Sequence, residues 1–362
     1  MPPVRVLQIT SYPPPRAGWG VRVEHVRRRL ERDGHTCDVL NMGANRRIKS
    51  PDYVDVQGGS DYARKVWRFV RQGYLVHAHL NGDSPKGLVL TLLALLLQLA
   101  GGRRAVITFH AGPLQKYFPQ ERSWLFAPSY WLVFALSSHI VCNSDVVKQR
   151  IMGYGVRAEK ISAIPAFSRQ YLEFERVALT DTLERFFADR DPVICSYVFF
   201  RTEFFIPAMI DAVQRLVRQF PNLGLVIMGS DKDSAPTVEQ IARLGLQAHV
   251  LLAGDQPHDQ FLTIMTRSRL YVRTPPKDGV CSSVLEALAL GVPVVGSANG
   301  TRPPGVVTFT PNDADDLAMK VAHVLTHEAD VRAGLVRPDI RDTVEDEATL
   351  LVTCASRGVR RS

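Results

Sequence analysis

This sequence predicts an α/β protein with two parallel-sheet domains, and three observations predict it. Strand-like apolar runs alternate with helix-like segments nearly throughout, the order that produces βαβ units and parallel sheets. The alternation runs twice in tandem, parted by Pro165–Pro192, which holds no clear apolar strand. The chain has 362 residues, beyond the ~250–300 at which one hydrophobic core stops growing.

Taken in order, Val4–Thr10 is a strand, followed by a Pro- and Gly-rich loop and a helix around Val21–Asp33. Gly34-His35 leads into a strand at Thr36–Leu40, and Arg46–Gly59, with little periodicity, reads as a loop. Further strands are expected at Leu75–Leu80, Ala105–His110 and His139–Asn143, with Ile161–Ile164 closing the half. Gly87–Ala100 is strongly apolar but only 14 residues long, short of the ~20 needed to cross a bilayer; a helix buried between layers is expected. The second series runs through Val193–Val198, Gly224–Met228, Val250–Ala253, Leu270–Arg273 and Val292–Gly296. Thr343–Ala355 reads as a two-sided helix, with a frayed end from Gly358. The expected division is a first Rossmann-like domain at 1–166, a linker at 167–191, a second such domain at 192–340 facing it across a cleft, and a terminal helix and tail at 341–362.

Charge separates the halves. Residues 1–164 carry 23 Lys and Arg against 11 Asp and Glu, and the remainder 21 against 25, so a total of +8 divides into +12 and −4. A basic first half suits an anionic acceptor or an anionic membrane surface, although the arginines around Leu30 also fit a solvated helix face. Trp124–Leu136, aromatic-rich and preceded by Lys116 and Arg122, is the segment that could touch a bilayer. With no aromatic-interleaved RNA motif or zinc spacing, no nucleic-acid partner is expected. The five cysteines form no C-x-x-C pair, and the start MPPVRVLQIT has no apolar signal region. Both point to a cytoplasmic protein, peripheral at most to the inner face of the membrane.

The most informative stretch is VRTPPKDGVCSSVLEALALGVPVVGS. A strand closes at Val272-Arg273, Pro275, Pro276 and Gly279 force a loop, and Cys281–Leu290 reads as a helix entered through Ser282 and Ser283 as cap residues. Asp278 falls in the loop and Glu286 inside the helix. The free N–H groups of Ser282, Ser283 and Val284 suit a phosphate, and a carboxylate beyond them suits a ribose diol. The spacing Asp278-x7-Glu286, followed by Leu-Ala-Leu-Gly-Val-Pro-Val-Val, resembles the E-x7-E region of retaining GT-B glycosyltransferases of family 4. More closely it resembles a branch with DG-x-x-S-V-x-EAL followed by RP-x-G-V, matched by Asp278, Gly279, Ser283, Val284, Glu286, Ala287, Leu288, Arg302, Pro303, Gly305 and Val306. The resemblance implies that Asp278 contacts donor-sugar hydroxyls, that Glu286 binds the ribose, and that the terminal helix crosses back to the first, acceptor-side domain.

Further candidates are less local. Gly18 and Gly20 stand in the first loop, where the family brings a glycine-rich turn to the donor phosphates and the acceptor; a turn needing positive φ is the competing explanation. His110 ends the strand AVITFH, and family members commonly place a histidine there, near the reacting face of the donor sugar. His77 and His79 are expected on opposite faces of their strand, which would exclude a chelating pair. The family's usual Arg and Lys before the first helix of the second domain reduce here to Arg201, with Glu203 beside it; Arg302 is a further cation. The pairs Asp189/Asp191, Asp231/Asp233 and Asp313/Asp315 read as turn and cap chemistry, so neither a metal nor another cofactor is expected.

The resemblance therefore implies a GT-B hexosyltransferase that moves a sugar from a nucleotide-diphosphate sugar to a hydroxyl of a glycan, glycolipid or other anionic cell-envelope acceptor, with retention. His110, Asp278, Glu286 and Arg201 form its catalytic set, and domain closure would exclude water. A degenerate sugar-nucleotide-binding scaffold and a nucleotide-sugar epimerase of the same fold are the rivals.

Overall fold

The computed structural model describes residues 2–13, 18–110, 115–276 and 281–359. They form two compact units, one of Met1–Gln170 with Arg341–Ser362, the other of Tyr171–Ile340.

The first unit is a six-stranded sheet of β1 (Arg5–Thr10), β2 (Thr36–Asn41), β3 (Leu75–Leu80), β4 (Val106–Phe109), β5 (His139–Cys142) and β6 (Ile161–Ala163). The strands are parallel in the order β2-β1-β3-β4-β5-β6. Its helices are α1 (Gly18–Arg32), α2 (Gly59–Arg71), α3 (Pro85–Ala100), α4 (Ala127–Leu136) and α5 (Asp145–Met152). The second unit carries β7 (Val193–Tyr197), β8 (Gly224–Met228), β9 (Val250–Gly254), β10 (Leu270–Arg273), β11 (Val294–Ser297) and β12 (Val306–Phe309), parallel in the order β12-β11-β10-β7-β8-β9. Its helices are α6 (Asp181–Asp189), α7 (Ile206–Gln219), α8 (Ala235–Arg243), α9 (His258–Arg267), α10 (Ser282–Ala289), α11 (Ala314–Thr326) and α12 (Glu328–Ala333). The last helix, α13 (Thr343–Val359), belongs to the first unit.

Helices cover both faces of each sheet, so most strand positions are buried and read as continuous apolar runs. In the first unit α2 turns Tyr62, Val66, Phe69 and Val70 inward, a helical-period stripe, onto a core shared with α3, α4 and α5. On the opposite face α1 and α13 bury Val26, Leu30 and Leu351 against Val6, Leu75 and Val106. Local caps set several helix starts: Ser84 accepts from the Gly87 N–H with Pro85 at N1, Ser144 from Val147, and Asp313 from Asp315 and Asp316. Two expectations change. The helix at α3 is not enclosed, because Val89, Leu96 and Leu99 face solvent. Residues 181–189 of the expected linker are a helix, capped by Thr180, and Leu183 lies in the second unit's core.

A buried ion pair fastens α13. Arg22 is 3% exposed and Glu347 fully buried, with Nε donating to Oε2 at 2.5 Å. The guanidinium also donates to the carbonyls of Pro165 (3.1 Å), Ala166 (2.9 Å) and Thr343 (3.0 Å) and to Thr343 Oγ1 (3.0 Å). Among the described residues no helix is long and apolar enough to cross a membrane.

Candidate functional site

In the second unit β7 is the first strand and its two neighbours, β8 and β10, are reached by crossovers in opposite directions. A ligand crevice forms at such a switch point, outside the carboxyl ends of the strands. The loops there are tightly joined. Gly229, just past β8, has φ +136°, donates to the Gly254 carbonyl at 2.9 Å, and lies so close to β7 that a Cβ would sit 2.0 Å from the Val198 oxygen. Gly229→Ala should therefore lower the melting temperature; about 2–4 °C per kcal/mol is usual for 150–250 residues, and thermal unfolding followed by circular dichroism checks it.

Glu286 stands in the second turn of α10, 5% exposed. Burial pushes its carboxyl up to about 8. His258, at the start of α9, places Nε2 3.8 Å from Glu286 Oε1 while donating to the Tyr171 carbonyl at 2.8 Å. The N-cap of α10 is Cys281, whose side chain makes no cap bond, so Ser282 and Ser283 lie inside the first turn, one residue later than expected. The Ser283 hydroxyl is held by Tyr271 Oη at 2.8 Å. Val284 donates its N–H to the Cys281 carbonyl at 3.1 Å and so leaves the predicted phosphate-binding group. The N–H groups of Ser282 and Ser283 have no backbone partner among the described residues. Asp278 lies outside the described residues.

Arg201 follows β7 with a 68% exposed side chain, its guanidinium over the Phe199 ring at 5.5 Å and 4.0 Å from Glu203. Arg302 donates to the Ser297 carbonyl (2.9 Å), Ser297 Oγ (3.0 Å) and the Pro275 carbonyl (2.7 Å), and so ties the loop after β11 to that after β10. Arg273, which ends β10, was not singled out from sequence. It is nearly buried, donates to the Tyr197 carbonyl at 2.9 Å and covers Phe204. A cation closing an otherwise apolar strand was the signal for it.

In the first unit Gly18 and Gly20 are not loop residues but open α1, and a Cβ on Gly20 would meet Pro13 Cδ at 3.0 Å. His110 follows β4 and is 4% exposed. His77 and His79 share one face of β3, as residues two apart on a strand must, with ring centroids 4.4 Å apart; the expectation of opposite faces is corrected. His79 lies between two partners, Nδ1 2.8 Å from His110 Nε2 and Nε2 2.8 Å from Gln8 Oε1. Burial depresses all three histidines, His77 to about 3, and so keeps them neutral near pH 7. If the Gln8 oxygen faces His79, then His79 carries its proton on Nε2 and His110 carries its own on Nε2. One ligand atom each from His77, His79 and Glu347 could gather within 4.8 Å around a cation. The Arg22 guanidinium on Glu347 would oppose it, so an ion-pair network is the better account. Of the acidic pairs, Asp313 caps α11 as expected, whereas Asp191 forms an ion pair with Arg269 at 3.1 Å.

Both halves of the chain match known families. Residues 17–167 match the family model described as Glycosyltransferase Family 4, and residues 184–336 that described as Glycosyl transferases group 1. A curated relative, an uncharacterized glycosyltransferase of Methanocaldococcus jannaschii, is 28% identical over 109 residues, which are 30% of this chain and 26% of the relative. Among solved structures, Anabaena HepE in complex with UDP and glucose superposes with TM-score 0.65 at 16% identity over 98% of both chains. A glycosyltransferase from Rickettsia africae gives 0.69 at 15% identity, over 99% of this chain and 98% of that one. UDP-GlcNAc 2-epimerase from Neisseria meningitidis bound to UDP-GlcNAc gives 0.67 at 14% identity, over 97% and 100%. These likenesses identify the fold as GT-B.

Proposed function

We propose, taking as premise a GT-B-type glycosyltransferase matched in both halves by glycosyltransferase families, that this protein transfers a hexosyl group from a nucleoside-diphosphate sugar to an acceptor hydroxyl, with retention and without a metal. The observation that carries the reading is Glu286, a buried carboxyl inside α10 at the carboxyl ends of a parallel sheet. Glu286 would accept hydrogen bonds from the ribose diol. The Ser282 and Ser283 N–H groups and Arg201, with Arg273 adding positive potential, would take the diphosphate and stabilise it as it leaves. Fixed donors aimed at developing charge lower a barrier because they need no reorganisation when the charge appears. Asp278 keeps its proposed role on the donor-sugar hydroxyls, His110 its place at the sugar's reacting face, and Gly18 and Gly20 theirs on the phosphate and acceptor side. The acceptor would be an anionic or lipid-linked glycan met in the cytoplasm at the inner face of the membrane.

UDP is the first donor class to test, since HepE binds it. At ~100 times its dissociation constant, UDP should add about 2.7 kcal/mol of stability, and Glu286→Ala should abolish the gain; thermal shift against UDP, GDP, ADP and CMP reads this. A chelator should leave the shift unchanged. Epimerase structures among the neighbours favour one second reading. Incubation with donor alone separates the two, since an epimer would appear without acceptor. Nucleotide binding with neither product would mark a degenerate scaffold.

A further inference from the structure

We propose that the outer face of α2, α3 and α4 in the first unit is a docking surface for an anionic lipid bilayer. This rests on residues of that unit alone and is independent of the donor-site reading.

The three helices lie side by side, α2 against α3 and α3 against α4, over one face of the sheet. Their inner sides fill the core; the outer sides of α3 and α4 are apolar where a soluble helix layer carries charge, and that of α2 is basic around one tryptophan. Val89, Leu96 and Leu99 make an exposed stripe along α3. Beside it Trp124 is 84% exposed, Leu125 66% and Trp131 53%, with Leu132 next along α4 and Trp67 on the outer side of α2. Scattered apolar residues need no explanation, but a cluster on one face does.

Composition selects the occupant. Tryptophan prefers the boundary between hydrocarbon and water, where its ring is buried and its N–H stays wet. Lys86 in the first turn of α3 and Arg104 just past its end bracket the apolar stripe, where long cationic side chains can reach phosphate while their stems cover hydrocarbon. Arg64, Arg68 and Arg71 are exposed on α2, and Lys116 and Arg122 precede the tryptophan loop. Among the described residues between 59 and 136 the exposed acids are Asp83 and Glu121. A helix about 24 Å long, apolar along its outer side and cationic at both ends, suits lying in the plane of a membrane surface. A protein partner would be expected to meet Trp and Arg with few exposed leucines, because leucine is under-represented among interface hot spots.

Co-sedimentation of the full chain with vesicles tests this. The wild type is expected to sediment with phosphatidylcholine vesicles containing phosphatidylglycerol, to bind pure phosphatidylcholine weakly, and to be released by high salt. W124S/W131S should reduce the partition coefficient about tenfold or more while keeping the wild-type melting temperature. R64S/R68S/R71S should remove the preference for the anionic lipid. Failure of the wild type to bind anionic vesicles, or equal binding by W124S/W131S, overturns the proposal. So would a wild-type dimer that W124S/W131S converts to monomer without any vesicle binding, since the face would then belong to a second copy of the chain.

Discussion

Glu286→Gln is expected to flatten the fall in stability with pH that the wild type shows, and to weaken UDP binding. Burial raises the Glu286 carboxyl from 4.5 to about 8, so between those values the folded protein holds a proton that the unfolded chain releases. Stability therefore declines with rising pH across that window: the contribution is complete below the unfolded value and is lost as pH rises through the folded one. Each unit of displacement corresponds to about 1.4 kcal/mol, and glutamine, of the same shape and without charge, removes the dependence. The wild-type melting temperature should fall from pH 6 to 9 more steeply than that of Glu286→Gln. Identical slopes would mean that Glu286 is already ionised through another partner. A ribose diol donating to the carboxylate would favour its charged form, so UDP binding should release a proton and tighten as pH rises towards 8. Loss of a hydrogen bond to a charged group, about 1.5–3 kcal/mol, should weaken UDP roughly ten- to hundredfold in Glu286→Gln. Calorimetry in buffers of different ionisation enthalpy reads both the affinity and the proton.

What could be read from sequence was what is local. A buried parallel strand such as Leu225–Met228 is a short apolar run between breakers, and the stretch around Glu286 keeps its strand, loop and helix within one window. The features that escaped depend on distant partners or on weak local signals. Arg22 lies among arginines that look like a solvated helix face, and it turns inward because Glu347, 325 positions away, is there to meet it. The contact of His79 with both Gln8 and His110 requires three strands to be aligned in register. Val306 closes the RP-x-G-V motif and also opens the edge strand Val306–Phe309, whose apolar run is too short to stand out. Thr180, followed by Leu183, Phe186 and Phe187, was a legible helix start obscured by its position between two series of strands.

The second large effect should come from that inward-turned arginine. Arg22→Ala leaves the Glu347 carboxylate buried with its main partner gone, and breaking a buried pair from one side costs about 3–5 kcal/mol. The Glu347 Oε1 atom has no hydrogen-bond partner among the described residues and His77 Nδ1 is 4.0 Å away. In the wild type His77 is no partner for it, because burial holds the imidazole neutral, near 3. The same substitution releases the carbonyls of Pro165, Ala166 and Thr343 that the guanidinium gathers, so α13 should lose its hold on the first unit. Amide exchange in α13 should accelerate with the fall in stability, while amides of β7 to β12 keep their protection. The double variant Arg22→Met/Glu347→Leu, which replaces the pair by apolar groups of comparable size, should be far less destabilised than either single change. Equal loss in the single and apolar double variants, by urea unfolding, would show that packing rather than the ion pair fastens the helix.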